Sequence, residues 1–247
     1  MKQVTNKRHQ ATLLDELISS LDHSEAKVRD VRVGLNGIGV LSRHLGLAHA
    51  SPLPHTHTTG VRDAGRLIGH SARGLAEYAR SSNPIEAGIG IAAINSLIEP
   101  RGEKLNVIDF LIEQGRGRKI AMVGRFPRSS AVQQAAGQLW VLEKHPRPGD
   151  FPESEAANLI PQADIVAITG SALANGSLQS LLDLSRGYTI VFGPSTPLSS
   201  VLFDWGVDMI GGARATNPEA ILLRISQGGN RVCQFKDSLE FLAMRRQ

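Results

Sequence analysis

Hydrophobic and polar positions fall into two rhythms along this chain. Over residues 9–21 (HQATLLDELISSL) apolar side chains recur at helical spacing, which predicts an amphipathic helix. The runs VRDVRVGL (28–35) and IGVLSRHLGLAHA then alternate on either side of Asn36-Gly37. Asn-Gly between alternating apolar runs is the strongest short-range hairpin signal, because both residues tolerate positive φ. Residues 63–80 and 85–100 read as two helices. The second is so rich in Ala, Ile and Gly that close packing against another backbone follows. This half predicts a small α+β domain, an antiparallel meander followed by helices.

From about residue 117 the rhythm changes. KIAMVG (119–124), LWVLEK (139–144), DIVAIT (164–169), YTIVFG (188–193) and VDMIGG (207–212) read as strands. Helical stretches near 129–137, 153–161, 177–185, 197–204 and 217–227 separate them. Continuous apolar strands alternating with helices indicate a parallel sheet covered on both faces. The expected class is α/β, with domains at 1–100 and 117–247 and a connector helix at 101–116.

Composition narrows the function more than the fold. The 247 residues suit one large domain or two small ones, and 41% hydrophobic content supports a real core. Aromatics at 4% argue against a stacking platform for single-stranded nucleic acid. A net charge of +4 is a mild excess, so no nucleic-acid partner is expected. A single cysteine, Cys233, excludes an internal disulfide and a Cys-based zinc site, and it is expected to be a buried thiol. The N-terminus lacks an apolar signal core and no apolar run approaches membrane-spanning length. A cytoplasmic protein with no membrane contact is the expectation, and a homo-oligomer is compatible with it.

Candidate chemistry gathers where the strands end, the edge at which open α/β sheets bind ligands. VGRFP (123–127) occupies the position of a dinucleotide-binding loop, yet it carries one glycine and Pro127, so the NAD fingerprint is absent. Arg116, Arg118, Lys119, Arg125 and Arg128 read as a cationic loop suited to an anion, with solvated surface charge as the plain alternative. Arg125, directly after a strand-ending glycine, is aimed at the sheet edge. TGSALANGS (169–177) offers Thr169, Ser171, Asn175 and Ser177 ahead of a helix, where free N–H groups favour anions. Capping explains one of these, Ser177 being the expected cap. In GPSTPLS (193–199), Pro197 suits a first helical turn and Thr196 its N-cap. Gly193 and Ser195 are then left to contact a ligand.

At these residues the chain resembles the heavy-metal chelation family of domain-of-unknown-function proteins. The matching strings are GIGIAAINS (88–96), KIAMVGRFP (119–127), LEKHPRPGDFP (142–152), ADIVAITGSALANGSLQSLL (163–182) and GPSTPLSSVLFDWGVD (193–208). The resemblance implies an enolase-N-terminal-like domain followed by a Rossmann-like domain, with a ligand site between them. It points to Glu86 and Asn95, to Gly124, Arg125 and Pro127, and to Gly193, Ser195 and Thr196. Asn95 is a polar group on an apolar helix and needs partners, either in a cleft or as a core hydrogen bond. Glu86 could equally complement the helix dipole.

Seven of the eight histidines lie at or before residue 70. In an extended HTH, His55 and His57 share a face and could hold zinc, nickel or copper, although the surrounding SPLPHTHTTG also reads as a plain polar loop. His145 reads as exposed. The resemblance implies a divalent or heavy metal ion. The functional expectation is a protein binding a small anionic molecule or a metal chelate in an inter-domain cleft. The rivals are an enzyme using a nucleotide-like cofactor such as S-adenosylmethionine, with Glu143 as the ribose acid, and an accessory protein that docks partners in metal handling. No Ser-His-Asp or Cys-His nucleophile arrangement can be read from the chain.

Overall fold

The computed structural model describes residues 11–22, 25–50, 60–229 and 232–246. Among these residues the chain forms two sheets. The first is antiparallel, with β1 (Asp30–Val33), β2 (Gly37–Leu41) and β3 (Leu45–His49) in that order. The expected hairpin is present, but its tip is Leu35-Asn36 and not Asn36-Gly37. Val33 lies opposite Ile38, the Gly34 N–H donates to the Gly37 carbonyl at 2.8 Å, and neither Asn36 nor Gly37 takes positive φ.

The second sheet takes β4 (Glu103–Lys104), β5 (Lys119–Val123), β6 (Gln138–Glu143), β7 (Phe151–Pro152), β8 (Ile165–Thr169), β9 (Tyr188–Phe192), β10 (Met209–Ala215) and β11 (Leu239–Arg245). Their order is β4-β11-β10-β9-β8-β5-β6-β7. From β10 through β7 neighbours run parallel, and β11 and β4 add an antiparallel edge. Alternate residues of the parallel strands enter two different clusters. Ala121, Val123, Val166 and Ile168 pack into one, while Ile120, Met122, Ile165 and Ala167 pack into the other. Burial on both faces is why these strands read as unbroken apolar runs.

The small sheet is sandwiched between helices. Ile38, Val40 and Ala48 meet the helix Pro84–Leu97 in the larger cluster, whereas Leu41 and Leu45 pack with Ile221, Leu222 and Ile225 of the helix Pro218–Ser226. The Pro84–Leu97 helix is buried nearly all round and comes against backbone on two sides. A Cβ on Gly90 would lie 1.9 Å from the Ala79 nitrogen, and one on Gly46 would lie 2.0 Å from the Ala92 carbonyl oxygen. The Ala/Gly composition thus does what its pattern suggested.

Several elements depart from the sequence reading. The first helix is Leu13–Ser19, started by a Thr12–Asp15 capping box, and residues 9 and 10 of the expected helix lie outside the described residues. The expected helix over 63–80 is broken, since Asp63 and Gly65 take positive φ and Ser71 caps a fresh turn at Ala72–Ala76. Pro197 starts no helix. The chain there inserts Leu198 against Gly212, whose Cβ would lie 2.7 Å from Leu198 Cγ, and helix begins only at Val201. Ser177 makes no side-chain cap, because its hydroxyl donates to Asn175 Oδ1 at 2.7 Å. Residues 103–104 pair with β11 before the helix Val107–Gln114 starts. Cys233 is exposed, since the short turn Val232–Phe235 directs Phe235 inward and leaves the thiol outside.

Candidate functional site

The chain leaves β5 toward β6 and β7, then returns to the other side of β5 with β8. This reversal opens a crevice beyond the carboxyl ends of β5 and β8, the place where open α/β sheets receive ligands. Three loops rise there, after β5, β8 and β9, and the small sheet lies over them. Between them is a cleft of about 1910 Å³.

The β5 loop is bent by Gly124 at φ +90, where a Cβ would come 3.0 Å from the Thr169 methyl. Arg125 follows. Its N–H donates to Glu143 Oε1 at 2.6 Å, and its guanidinium pairs with Asp150, which also accepts the Arg147 N–H at 3.0 Å. Its partner Arg125 holds the Asp150 carboxyl below its ordinary pKa. Phe126 stacks on Phe192 at 3.9 Å between centroids, and Pro127 and Arg128 complete the exposed end. Arg128 reaches Asp109 at 2.6 Å.

The expected cationic loop is therefore two separate groups. Arg116, Arg118 and Lys119 stand at the amino end of β5, and Arg125 and Arg128 at the carboxyl end. Five residues of strand separate them, roughly 16 Å at about 3.3 Å per residue. Only the second group faces the cleft.

In the β8 loop Thr169 and Ser171 bond to each other at 3.0 Å, and Asn175 is exposed and closes its own turn on Ser177. In the β9 loop Gly193, at φ +121, accepts the Thr196 N–H at 3.0 Å. The Ser195 hydroxyl accepts the His49 N–H at 2.9 Å, which ties this loop to β3. Thr196 is buried against the neighbouring loop, so close that a Cβ on Gly170 would lie 2.2 Å from its hydroxyl oxygen.

Asn95 bridges the two layers. Its Nδ2 donates to the Leu47 carbonyl at 2.8 Å and to the Ser195 carbonyl at 3.1 Å. Glu86 is buried and committed, accepting the Arg62 N–H at 2.8 Å, the Arg62 Nε at 3.1 Å and the Ser81 hydroxyl at 2.7 Å. Burial pushes its carboxyl up, but Ser81 and Arg62 outweigh that and hold it below its ordinary pKa. Of the residues singled out from the sequence, Gly124, Arg125, Pro127, Thr169, Ser171, Asn175, Gly193 and Ser195 line the cleft. Glu86, Asn95 and Thr196 stand behind it.

Comparisons with known proteins give the family and the fold. A family model named DUF364, described as "Putative heavy-metal chelation", matches residues 106–241, and a second, DUF4213, with the same description, matches residues 14–98. The chain belongs to the DUF364 family. A crystal structure of a DUF364 protein of unknown function from Desulfitobacterium hafniense DCB-2 superposes with a TM-score of 0.80 at 25% identity, covering 95% of this chain and 98% of that one. Another, from Pyrococcus horikoshii, superposes with a TM-score of 0.79 at 19% identity, covering 95% of this chain and 98% of that one, and shares the fold. No curated protein matches the chain.

The family description raises a metal, and the donor set answers it. Among the described residues no three His, Cys, Asp or Glu side chains come together as a cage. The acids lining the cleft are engaged, Glu143 and Asp150 by Arg125, and Glu153 with Lys144 at 4.0 Å. These residues do not fit a resident ion held by protein ligands alone. His55 and His57 lie outside the described residues. Among the described residues no helix is long and apolar enough to cross a membrane.

Sequence reasoning passed over His49, whose side chain lines the cleft. The signal was present. His49 ends an alternation in which Leu45 and Leu47 face the same side of β3, so a polar side chain follows two apolar ones onto that face.

Proposed function

We propose that the chain binds a small anionic molecule, metal-free or as a metal chelate, in the cleft between the part spanning 1–100 and the part spanning 117–247. The observation that carries this reading is the joint at Ser195. A loop at the ligand-binding edge of the parallel sheet is fixed from above by His49 and from behind by Asn95. Because the Ser195 hydroxyl oxygen accepts from His49, its proton is left to donate to a ligand. The walls supply apolar surface from Phe126, Leu47 and Ile225, and six Lys or Arg side chains against three Asp or Glu. Such a lining favours an organic body carrying negative charge.

A nucleotide-like cofactor is the second reading, favoured by Glu143 at the end of β6 beside the Gly124 bend. That carboxylate already accepts the Arg125 N–H, so a ribose would have to share it. Native mass spectrometry of untagged protein purified without added metal tests both. A bound small anion retained in Arg118→Ala and lost in Ser195→Ala supports the cleft. Retention of the molecule in Ser195→Ala overturns it, and a bound nucleoside lost in Glu143→Gln moves the assignment to the second reading.

A further inference from the structure

Away from the cleft, the small sheet ends in an open edge. β1 pairs with β2 and has no strand on its other side among the described residues. The Gly34 N–H meets β2, so Asp30 and Arg32 also turn their main-chain groups inward, and Val31 and Val33 turn theirs outward. Among the described residues those outward N–H and C=O groups have no hydrogen-bond partner. Pairing on the outer side stops at Val28, whose N–H donates to the His70 carbonyl at 3.2 Å.

The side chains single out the same edge. Four large hydrophobic side chains are left exposed among the described residues: Val33, Leu35, Ile68 and Leu223. Val33 is on β1 and Leu35 follows it at the hairpin tip. Ile68 and Leu223 stand on the turn Leu67–Gly69 and the helix Pro218–Ser226, both of which touch β1. Edge strands are ordinarily protected by unpaired charge, lysine above all. The charge on β1 is instead cancelled within the strand. Arg32 holds Asp30 at two points, Nε to Oδ1 at 2.8 Å and Nη2 to Oδ2 at 3.0 Å.

That ion pair also says what the edge accepts. Two copies of β1 can meet antiparallel about a two-fold axis, their outward groups bonding each other. Centred on Asp30 or Arg32, they set like charges directly opposite, which is unfavourable. Centred on Val33, they need Leu35 to continue the strand, and the chain turns there. Centred on Val31, Asp30 of each copy faces Arg32 of the other, and the two ion pairs merge into a ring of four alternating charges. We propose that β1 is a homodimer interface, where a second copy of this chain adds its own β1 in the register centred on Val31. The two small sheets then become one continuous sheet. No residue of β1 lines the cleft, so the pairing does not draw on the ligand site.

Sedimentation velocity of the untagged full chain over a range of concentrations tests this. At low salt the chain is expected to pass from monomer to dimer, and about 1 M salt should weaken the dimer by screening the ring of charges. Arg32→Asp is expected to weaken dimerisation at least about tenfold, because symmetry makes the substitution count twice. The monomer's own stability should hardly change, since the lost pair is exposed. Asp30→Arg combined with Arg32→Asp rebuilds every pair with its signs exchanged and should restore the dimer. Amide hydrogen exchange locates the contact, with the Val31 N–H exchanging more slowly in the dimer than in the dilute monomer. A chain that stays monomeric at every concentration overturns the proposal. So does a dimer that ignores Arg32→Asp, one that the double exchange fails to restore, or one that leaves the Val31 amide unprotected.

Discussion

The roof and the floor of the cleft use glycine for opposite reasons. In the roof, Gly46, Gly88 and Gly90 let the small sheet, the Pro84–Leu97 helix and the Tyr78–Ala79 backbone approach within van der Waals contact, and a methyl group would strike backbone or core. In the floor, Gly193 has open space, its nearest neighbour being Phe126 at 3.7 Å, but its φ of +121 suits no other residue. The roof is built for closeness and the floor for bending. A rigid, tightly packed layer thus presents His49 to loops whose shape is set by conformation and hydrogen bonds.

The largest expected effect follows from the roof. Gly90→Ala should cost about 3 kcal/mol or more, because the clash is with main chain that cannot rotate away. Urea unfolding measures it, and a loss under about 1 kcal/mol would show that the layers slide apart easily. Asn95→Ala should cost about 2 kcal/mol, since it strands the Leu47 and Ser195 carbonyls together. It should also weaken ligand binding by loosening the Ser195 loop, which a purely structural asparagine would not do. Gly193→Ala should cost least, about 1 kcal/mol of backbone strain, and yet disturb binding more than Gly90→Ala does per folded molecule. If the ranking in binding is reversed, the division between roof and floor fails.

Legibility in the sequence followed the range of the forces involved. The first hairpin and the five parallel strands are local patterns, and they stand close to where the spacing placed them, the hairpin's tip one residue earlier at Leu35-Asn36. The strand β11 carries no clean alternation, because its ladder with β10 and β4 is decided by partners distant in the chain. Side-chain roles were harder still. Arg118 and Arg125 look like neighbours in one basic stretch, but a strand carries them to opposite edges of the sheet. Glu86 reads as a first-turn acid until Arg62 and Ser81 fold onto it. His49 was hidden among other histidines, since nothing local reveals that Ser195 will meet its backbone.

The most direct test of the central claim is a crystal structure of untagged protein purified without added metal. The account predicts a small anionic molecule inside the cleft, beside Arg125 and above the Gly193–Ser195 loop. A molecule bound only at the opposite edge of the sheet near Arg118 and Tyr188, with the cleft empty, would contradict it.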